Sequence, residues 1–327
     1  MTSEHVVGVD FGGTNLKAGV SNAEGQLLSF VTQPTLPPHK GIDLIIDQIV
    51  KLVVRVIKES EQPHEGIIGI SIGVCGLVNC LKGYVISSSV IPALQNMPLA
   101  KLVSQAVKLP VILNNDANAV LFGEWWVGAG RGMQNVVGMT LGTGIGGAAI
   151  LDAKLFLGSN GNAAEFGHIV VNPDGPQCSC GNRGCLELLA SATGMVQQCL
   201  QQIRQGSYSV LIEKTKGKRI KLTSQNIYEA ALGGDELATN IVIQTGKYLG
   251  IGTANLLNCF NPNLMLFTGG LTGIGDWLLN IIREEARSRS CPSIYEVAQI
   301  EFGQLGNRAG VVGAAGILFH QMGVISN

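Results

Sequence analysis

Two stretches of this chain repeat one pattern about 130 residues apart: an apolar run, a bare glycine turn, and a second apolar run. The first is "HVVGVDFGGTNLKAGVSN", from His5, and the second is "NVVGMTLGTGIGGAAIL", residues 135–151. Apolar runs joined by a short glycine turn read as a β-hairpin, since glycine reaches backbone conformations that other residues avoid. The first hairpin leads into a third strand, "GQLLSFVTQP". Between Ile42 and Ser60 the apolar residues then fall at 42, 45, 46, 49, 52, 53 and 56, which is one helical face, and Pro63 lies just beyond its end. "GIIGISIGV" (66–74) reads as a strand inside a parallel sheet, 99–109 as a short helix, and "PVILNND" (110–116) as a strand ending in polar residues. A helix over Asn118 to Gly128 precedes the second hairpin, "LLNCFNPNLMLFTGG" (256–270) leads into a strand with a terminal glycine pair, and "GVVGAAGILFHQMG" closes the chain as a helix. This order predicts two similar α/β domains with a cleft between them. The expected division is 1–118 plus about 310–327 for a small N-terminal domain, and 119–309 for a larger one.

Composition narrows the function. Glycine supplies 44 of 327 residues, nearly double the average of about 7%, and it clusters at the ends of apolar runs rather than in repeats. Charged residues are 14%, the net charge is -1, and the basic run is "KTKGKRIK" at 214–221, which argues against nucleic acid as the main partner. "MTSEHVVGVD" carries an acid and enters a strand directly, so no signal peptide is read there. The longest uncharged run, Met133 to Leu151, is broken by five glycines and reads as strand–turn–strand rather than a membrane span. The expectation is a cytoplasmic protein with no membrane partner, in which clustered cysteines bind metal more often than they pair as disulfides.

Four motifs carry chemistry. In "DFGGTNLK" (10–17), backbone amides at Gly12 and Gly13 can converge on an anion, with Thr14 adding a hydroxyl, Lys17 a cation and Asp10 a seat for hydrated magnesium; a tight hairpin with an incidental lysine is the plainer reading. In "LGTGIGGA", Gly142, Gly144 and Gly147 match the dinucleotide fingerprint, but a strand follows where a helix is needed, so an oxidoreductase is disfavoured and a second phosphate-cradling turn fits better. "LNNDANAV" (113–120) puts Asp116 at the ligand edge of a sheet, either as part of a helix cap or in a polar pocket. Last, His168, Cys178, Cys180 and Cys185 offer the Cys₃His set of a closed tetrahedral site, with Gly181 and Gly184 letting the loop fold back; Cys-x-Cys is tighter than the usual Cys-x-x-Cys spacing, and a disulfide and a reactive thiol are the alternatives. The other cysteines sit in apolar contexts as core filler, and Glu165 and Glu187 bracket the metal set.

Together and in this order, these motifs with "GNRAGVVGAAG" (306–316) resemble the ROK family (repressors, open reading frames and sugar kinases) of the actin-like ATPase superfamily. The resemblance covers nearly the whole chain and implies an α/β, two-domain actin-like ATPase (ribonuclease H-like) fold. Family repressors carry an added N-terminal helix-turn-helix, for which a first strand starting near residue 5 leaves no room, so the resemblance implies an ATP-dependent hexose kinase, most like the glucokinases. It implies that Asp116 is the general base for the sugar 6-hydroxyl, and that Asn115, Glu165, His168 and Glu187, with Gly76 in the segment 73–79, bind the sugar. It further implies nucleotide contacts at Gly12, Gly13, Thr14, Gly142, Thr143 and Gly144, adenosine-side glycines at Gly269 and Gly270, magnesium held through water by Asp10, and structural zinc. Cys75 and Asn79 depart from the family's usual proline and aspartate, so the hexose is open among glucose, N-acetylglucosamine, N-acetylmannosamine and fructose. Polyphosphate as donor and a non-catalytic sugar-sensing regulator remain alternatives, and the family suggests a homodimer or homotetramer.

Overall fold

The computed structural model describes residues 4–37, 41–88, 90–215 and 222–325. Most of the basic run at 214–221, and His39, lie outside the described residues. By contacts the chain forms two compact units: 1–134 with 148–164 and 303–327, and 135–147 with 165–302.

In the first unit, β1 (His5–Phe11), β2 (Asn15–Ser21) and β3 (Leu27–Pro34) run antiparallel as the glycine turn requires. Helix α1 (Ile42–Glu59) follows, then β4 (Ile67–Val74), the small hairpin β5 (Leu77–Asn79) and β6 (Tyr84–Ser87), α2 (Leu99–Val107), β7 (Val111–Asn115) and α3 (Asp116–Val127). The sheet order is β3-β2-β1-β4-β7, with β4 parallel to both β1 and β7. All seven residues of β1 are buried, as befits a strand covered on both faces. The spacing read from the sequence for α1 is realised: Ile45, Ile49, Leu52, Val53 and Val56 are buried in the core, with Ile42 and Ile46 packed at its edge.

A second sheet repeats this order. Its strands are β8 (Val136–Leu141), β9 (Ile145–Leu151), β10 (Lys154–Leu155), β11 (Leu264–Thr268) and β12 (Gln299–Phe302), arranged β10-β9-β8-β11-β12 with β11 parallel to β8 and β12. The division between units falls within β9. Three antiparallel strands followed by two parallel ones, twice over, is the repeat expected from the paired hairpins and the actin-like arrangement that the family resemblance implies. The second unit also holds α4 (Leu186–Ala190), α5 (Ala192–Arg204), α6 (Ile212–Thr215), α7 (Ser224–Leu232), the 25-residue α8 (Glu236–Phe260), α9 (Asp276–Arg289) and α10 (Pro292–Tyr295). The chain ends in α11 (Ala309–Gln321), in the first unit. No described helix is long and apolar enough to cross a membrane.

Helix α3 starts two residues earlier than the expected Asn118, because Asn115 caps it directly from the end of β7. It also falls in the first unit, whereas the sequence division at residue 118 assigned most of it to the second domain. Close packing explains this: a side chain at Gly313 of α11 would strike the Ala119 carbonyl of α3, so only glycine lets the two helix backbones meet. A fully buried carboxylate completes the join. Glu124 accepts amide hydrogens from Ala129 at 3.2 Å, Gln304 at 3.0 Å and Leu305 at 2.8 Å. Removing it leaves three part-buried amides without their acceptor, so Glu124→Ala should lower the unfolding free energy by about 1–3 kcal/mol in a urea titration.

Candidate active site and metal centre

In the first unit the polar groups gather at the carboxyl ends of the parallel strands. The register sets Asp10 beside Gly73 and Gly73 beside Asn114; one residue further, Phe11, Val74 and Asn115 share a row, and Asp116 follows as the first residue of α3. Asn115 caps the helix and also reaches the segment after β4. Its Oδ1 accepts the amides of Ala117 at 2.9 Å and Asn118 at 3.2 Å, capping α3, and its Nδ2 donates to the Gly76 carbonyl at 3.1 Å. Asn114, by contrast, is buried and donates to Ser71 Oγ at 3.3 Å inside the sheet. Burial pushes the Cys75 thiol up to about 12, and the negative charge of Asp116, with a smaller contribution from Asp10, adds to it. Two carboxylates therefore flank one buried thiol, where β4 ends between β1 and β7.

The first glycine turn is held from outside. Gly12 donates to the Asn15 carbonyl at 3.1 Å, while Thr35 donates through Oγ1 to Gly12 O at 2.7 Å and through its amide to Thr14 O at 3.0 Å. Gly13 and Thr14 are left exposed. Lys17, expected as a cation on the phosphate side, sits across the β1–β2 ladder from Asp10, with Nζ 2.8 Å from Oδ2 and side-chain exposures of 20% and 12%. It balances the aspartate and fixes its orientation.

The second unit carries the other turn, where the Gly142 amide donates to Gly144 O at 3.0 Å. Thr140 and Thr268 pair in register at the ends of β8 and β11, and Gly269–Gly270 follow. Thr268 Oγ1 is buried without a partner among the described residues.

The four metal-ligand candidates converge in the same unit. One donor atom each from His168, Cys178, Cys180 and Cys185 lies within 4.8 Å of the others. Cys180 Sγ is 3.6 Å from Cys185 Sγ, and Cys178 Sγ is 3.7 Å from His168 Nδ1. Zinc–thiolate bonds of about 2.3 Å give a tetrahedron edge of about 3.8 Å, so the set fits a single soft tetrahedral ion. Nδ1 is the inward nitrogen, which leaves Nε2 for another role. The loop folds back through bridges Gln177–Arg183 and Val170–Cys185, with Gly181 at φ 95° and Gly184 at φ 69° making its turns as expected. Burial and the neighbouring thiols push Cys185 up to about 12, while the Asn182 amide pulls exposed Cys180 down. An ion bound here displaces protons from the thiols.

Two carboxylates flank the ligands. Glu165 is accessible at the surface, yet its pKa is raised, first by desolvation and also by Glu187, with His168 opposing. The residue before it, Ala164, holds φ 67°, a strained value for a side-chain-bearing residue. Glu187 Oε2 accepts the Ile145 amide at 2.8 Å, just past the glycine turn. Sequence reasoning missed this bond and the Thr35 clamp: the partners are 42 and 23 residues apart, and no periodic pattern links them.

Comparison with known proteins finds relatives over nearly the whole chain. The ROK family model matches residues 6–321. A glucokinase of Thermotoga maritima is 35% identical over 318 residues, spanning 97% of this chain and 98% of that one. A xylose repressor of Caldicellulosiruptor bescii is 31% identical, spanning 97% of this chain and 78% of the repressor. Among solved structures, a ROK family glucokinase from Streptomyces griseus in complex with glucose and AMPPNP superposes with TM-score 0.79 at 34% identity, covering 96% of this chain and 98% of that chain.

Cobalt(II), a coloured probe for thiolate sites, should titrate one equivalent per chain with a sulfur charge-transfer band. Cys178→Ser and Cys185→Ser should each weaken binding and reduce that band; full binding with unchanged absorption would remove these residues from the ligand set.

Proposed function

The chain belongs to the ROK family, and from that premise we propose that it transfers the γ-phosphoryl group of ATP to the 6-hydroxyl of a hexose, glucose first among them. The observation that carries the reading is the carboxyl edge of the first sheet, where Asp10 and Asp116 flank Cys75 one strand apart on either side of β4. Parallel α/β sheets bind ligands at this edge.

Phosphoryl transfer needs in-line positioning and compensation of charge more than covalent help from the protein. The exposed turn at Gly12, Gly13 and Thr14 offers backbone amides to phosphate oxygens, and the turn at Gly142, Thr143 and Gly144 offers the same. Gly269 and Gly270 leave room for the adenosine side. Asp116 accepts the proton of the 6-hydroxyl, while Glu165, His168 and Glu187 accept or donate to the other hydroxyls, with Gly76 held by Asn115 to shape the sugar side. Asp10 is a hard oxygen donor oriented by Lys17, which fits magnesium held through water; the ion would neutralise charge on the transferred phosphate. Zinc is the natural occupant of the Cys₃His set, given its donor chemistry, and its task is to hold the loop rather than to touch the phosphate.

Similarity to a xylose repressor makes ADP release the deciding assay between catalysis and sensing. Glucose with ATP and magnesium should release ADP, more efficiently than N-acetylglucosamine, N-acetylmannosamine or fructose. Asp116→Asn should keep the wild-type unfolding midpoint and lose turnover by about 100-fold or more. Undiminished ADP release by that variant would remove Asp116 as the base.

A further inference from the structure

A carboxylate that reads sugar hydroxyls would be expected to stand clear of the rest of the protein. Glu187 does not: its Oε2 accepts the Ile145 amide at 2.8 Å. Ile145 is the first residue of β9 and the first after Gly142, Thr143 and Gly144. The approach is so close that a side chain on Gly144 would strike Glu187 Oε2, the nearest atom it would meet. The metal loop therefore runs from Cys185 through Glu187 directly onto the glycine turn.

The rest of the turn is gripped in the same way. Ala192, which opens α5 just beyond Glu187, donates its amide to Gly142 O at 3.0 Å. On the other side Gly269, at φ 93°, lies so close that an added Cβ would stand 2.5 Å from Leu141 O. The turn itself carries only one side chain, that of Thr143, and has little with which to pack itself. Among the described residues two outside hydrogen bonds hold it, and the one at Ile145 is made by a charged side chain.

We propose that Glu187 is a positioning residue for the nucleotide as well as a ligand for the sugar. Oε2 fixes the exit of the phosphate-binding turn and Oε1 takes the sugar hydroxyl, so one carboxylate on the metal loop sets the geometry of both substrates. This rests on the reading that the 142–144 turn holds nucleotide phosphates. It also makes nucleotide affinity depend on the metal loop, although no metal ligand touches phosphate.

Glutamine and alanine at this position separate the two tasks. Glu187→Gln keeps a carbonyl oxygen that can accept from Ile145, but loses the charge that strengthens a hydroxyl contact. Glu187→Ala loses both. The dissociation constant for ADP, measured by equilibrium dialysis without sugar, should stay within about twofold of wild type in Glu187→Gln and rise roughly tenfold in Glu187→Ala. The KM for glucose should rise in both. Glu187→Asp, whose shorter side chain falls short of Ile145, should behave toward ADP like the alanine variant and serves if alanine does not fold. Wild-type ADP affinity in a folded Ala or Asp variant overturns the proposal. Failure of the wild-type protein itself to bind ADP overturns the nucleotide reading instead.

Discussion

Burial of the central strands governs where chemistry can occur in this molecule. β1 is buried along all seven residues, and β4 and β11 are nearly so. Along their length such strands can carry little but apolar side chains, because an unpaired charge inside would cost several kcal/mol. Polar groups are displaced to the strand ends, where the next element begins. Asp10, Asp116 and Thr268 all sit at that place in their sheets, as do both glycine turns and the Gly269–Gly270 pair. In each sheet the site follows from how the strands are covered.

A second constraint follows from the turns. A backbone that is to meet phosphate with its amides must carry little side chain, and a turn without side chains cannot pack itself. The first turn is held by Thr35 from the start of the segment after β3, and the second by Glu187 and the Ala192 amide. Lys17 does comparable work one step back, fixing Asp10. Contacts made from outside thus hold both turns and Asp10 in place, and Lys17, read from the sequence as a cation on the phosphate side, is paired with the aspartate.

What was legible in the sequence is what repeats or alternates locally. The two hairpins, the buried face of α1 and the convergence of His168 with Cys178, Cys180 and Cys185 could all be read from spacing. Asn115 shows the next level: its residue type supports a helix cap, which its Oδ1 makes at Ala117, while the bond of its Nδ2 to the Gly76 carbonyl, 39 residues away, has no local signal. Illegible were the bonds between distant segments. Glu124 reads as one acid in an apolar helix, and nothing nearby marks its partners 180 and 181 residues later. The pairing of α3 with α11 was hidden for the same reason. It depends on Gly313 lying against Ala119, a contact with no local periodicity.

The metal loop joins these arguments. Residues 170–183 are mostly exposed and contain few apolar side chains, so a hydrophobic core cannot fix their conformation. A segment of this kind needs a staple, and a tetrahedral ion on the four converging donors would supply one. The staple also reaches beyond the loop. Glu165 lies three residues before His168, and Glu187 two residues after Cys185, so each carboxylate is within one turn of chain of a ligand. Over so short a distance the backbone transmits displacement almost undiminished. Displacing a ligand would displace the carboxylate beside it and, through Ile145, the glycine turn. Structural by coordination, the ion would therefore be measured in substrate affinity.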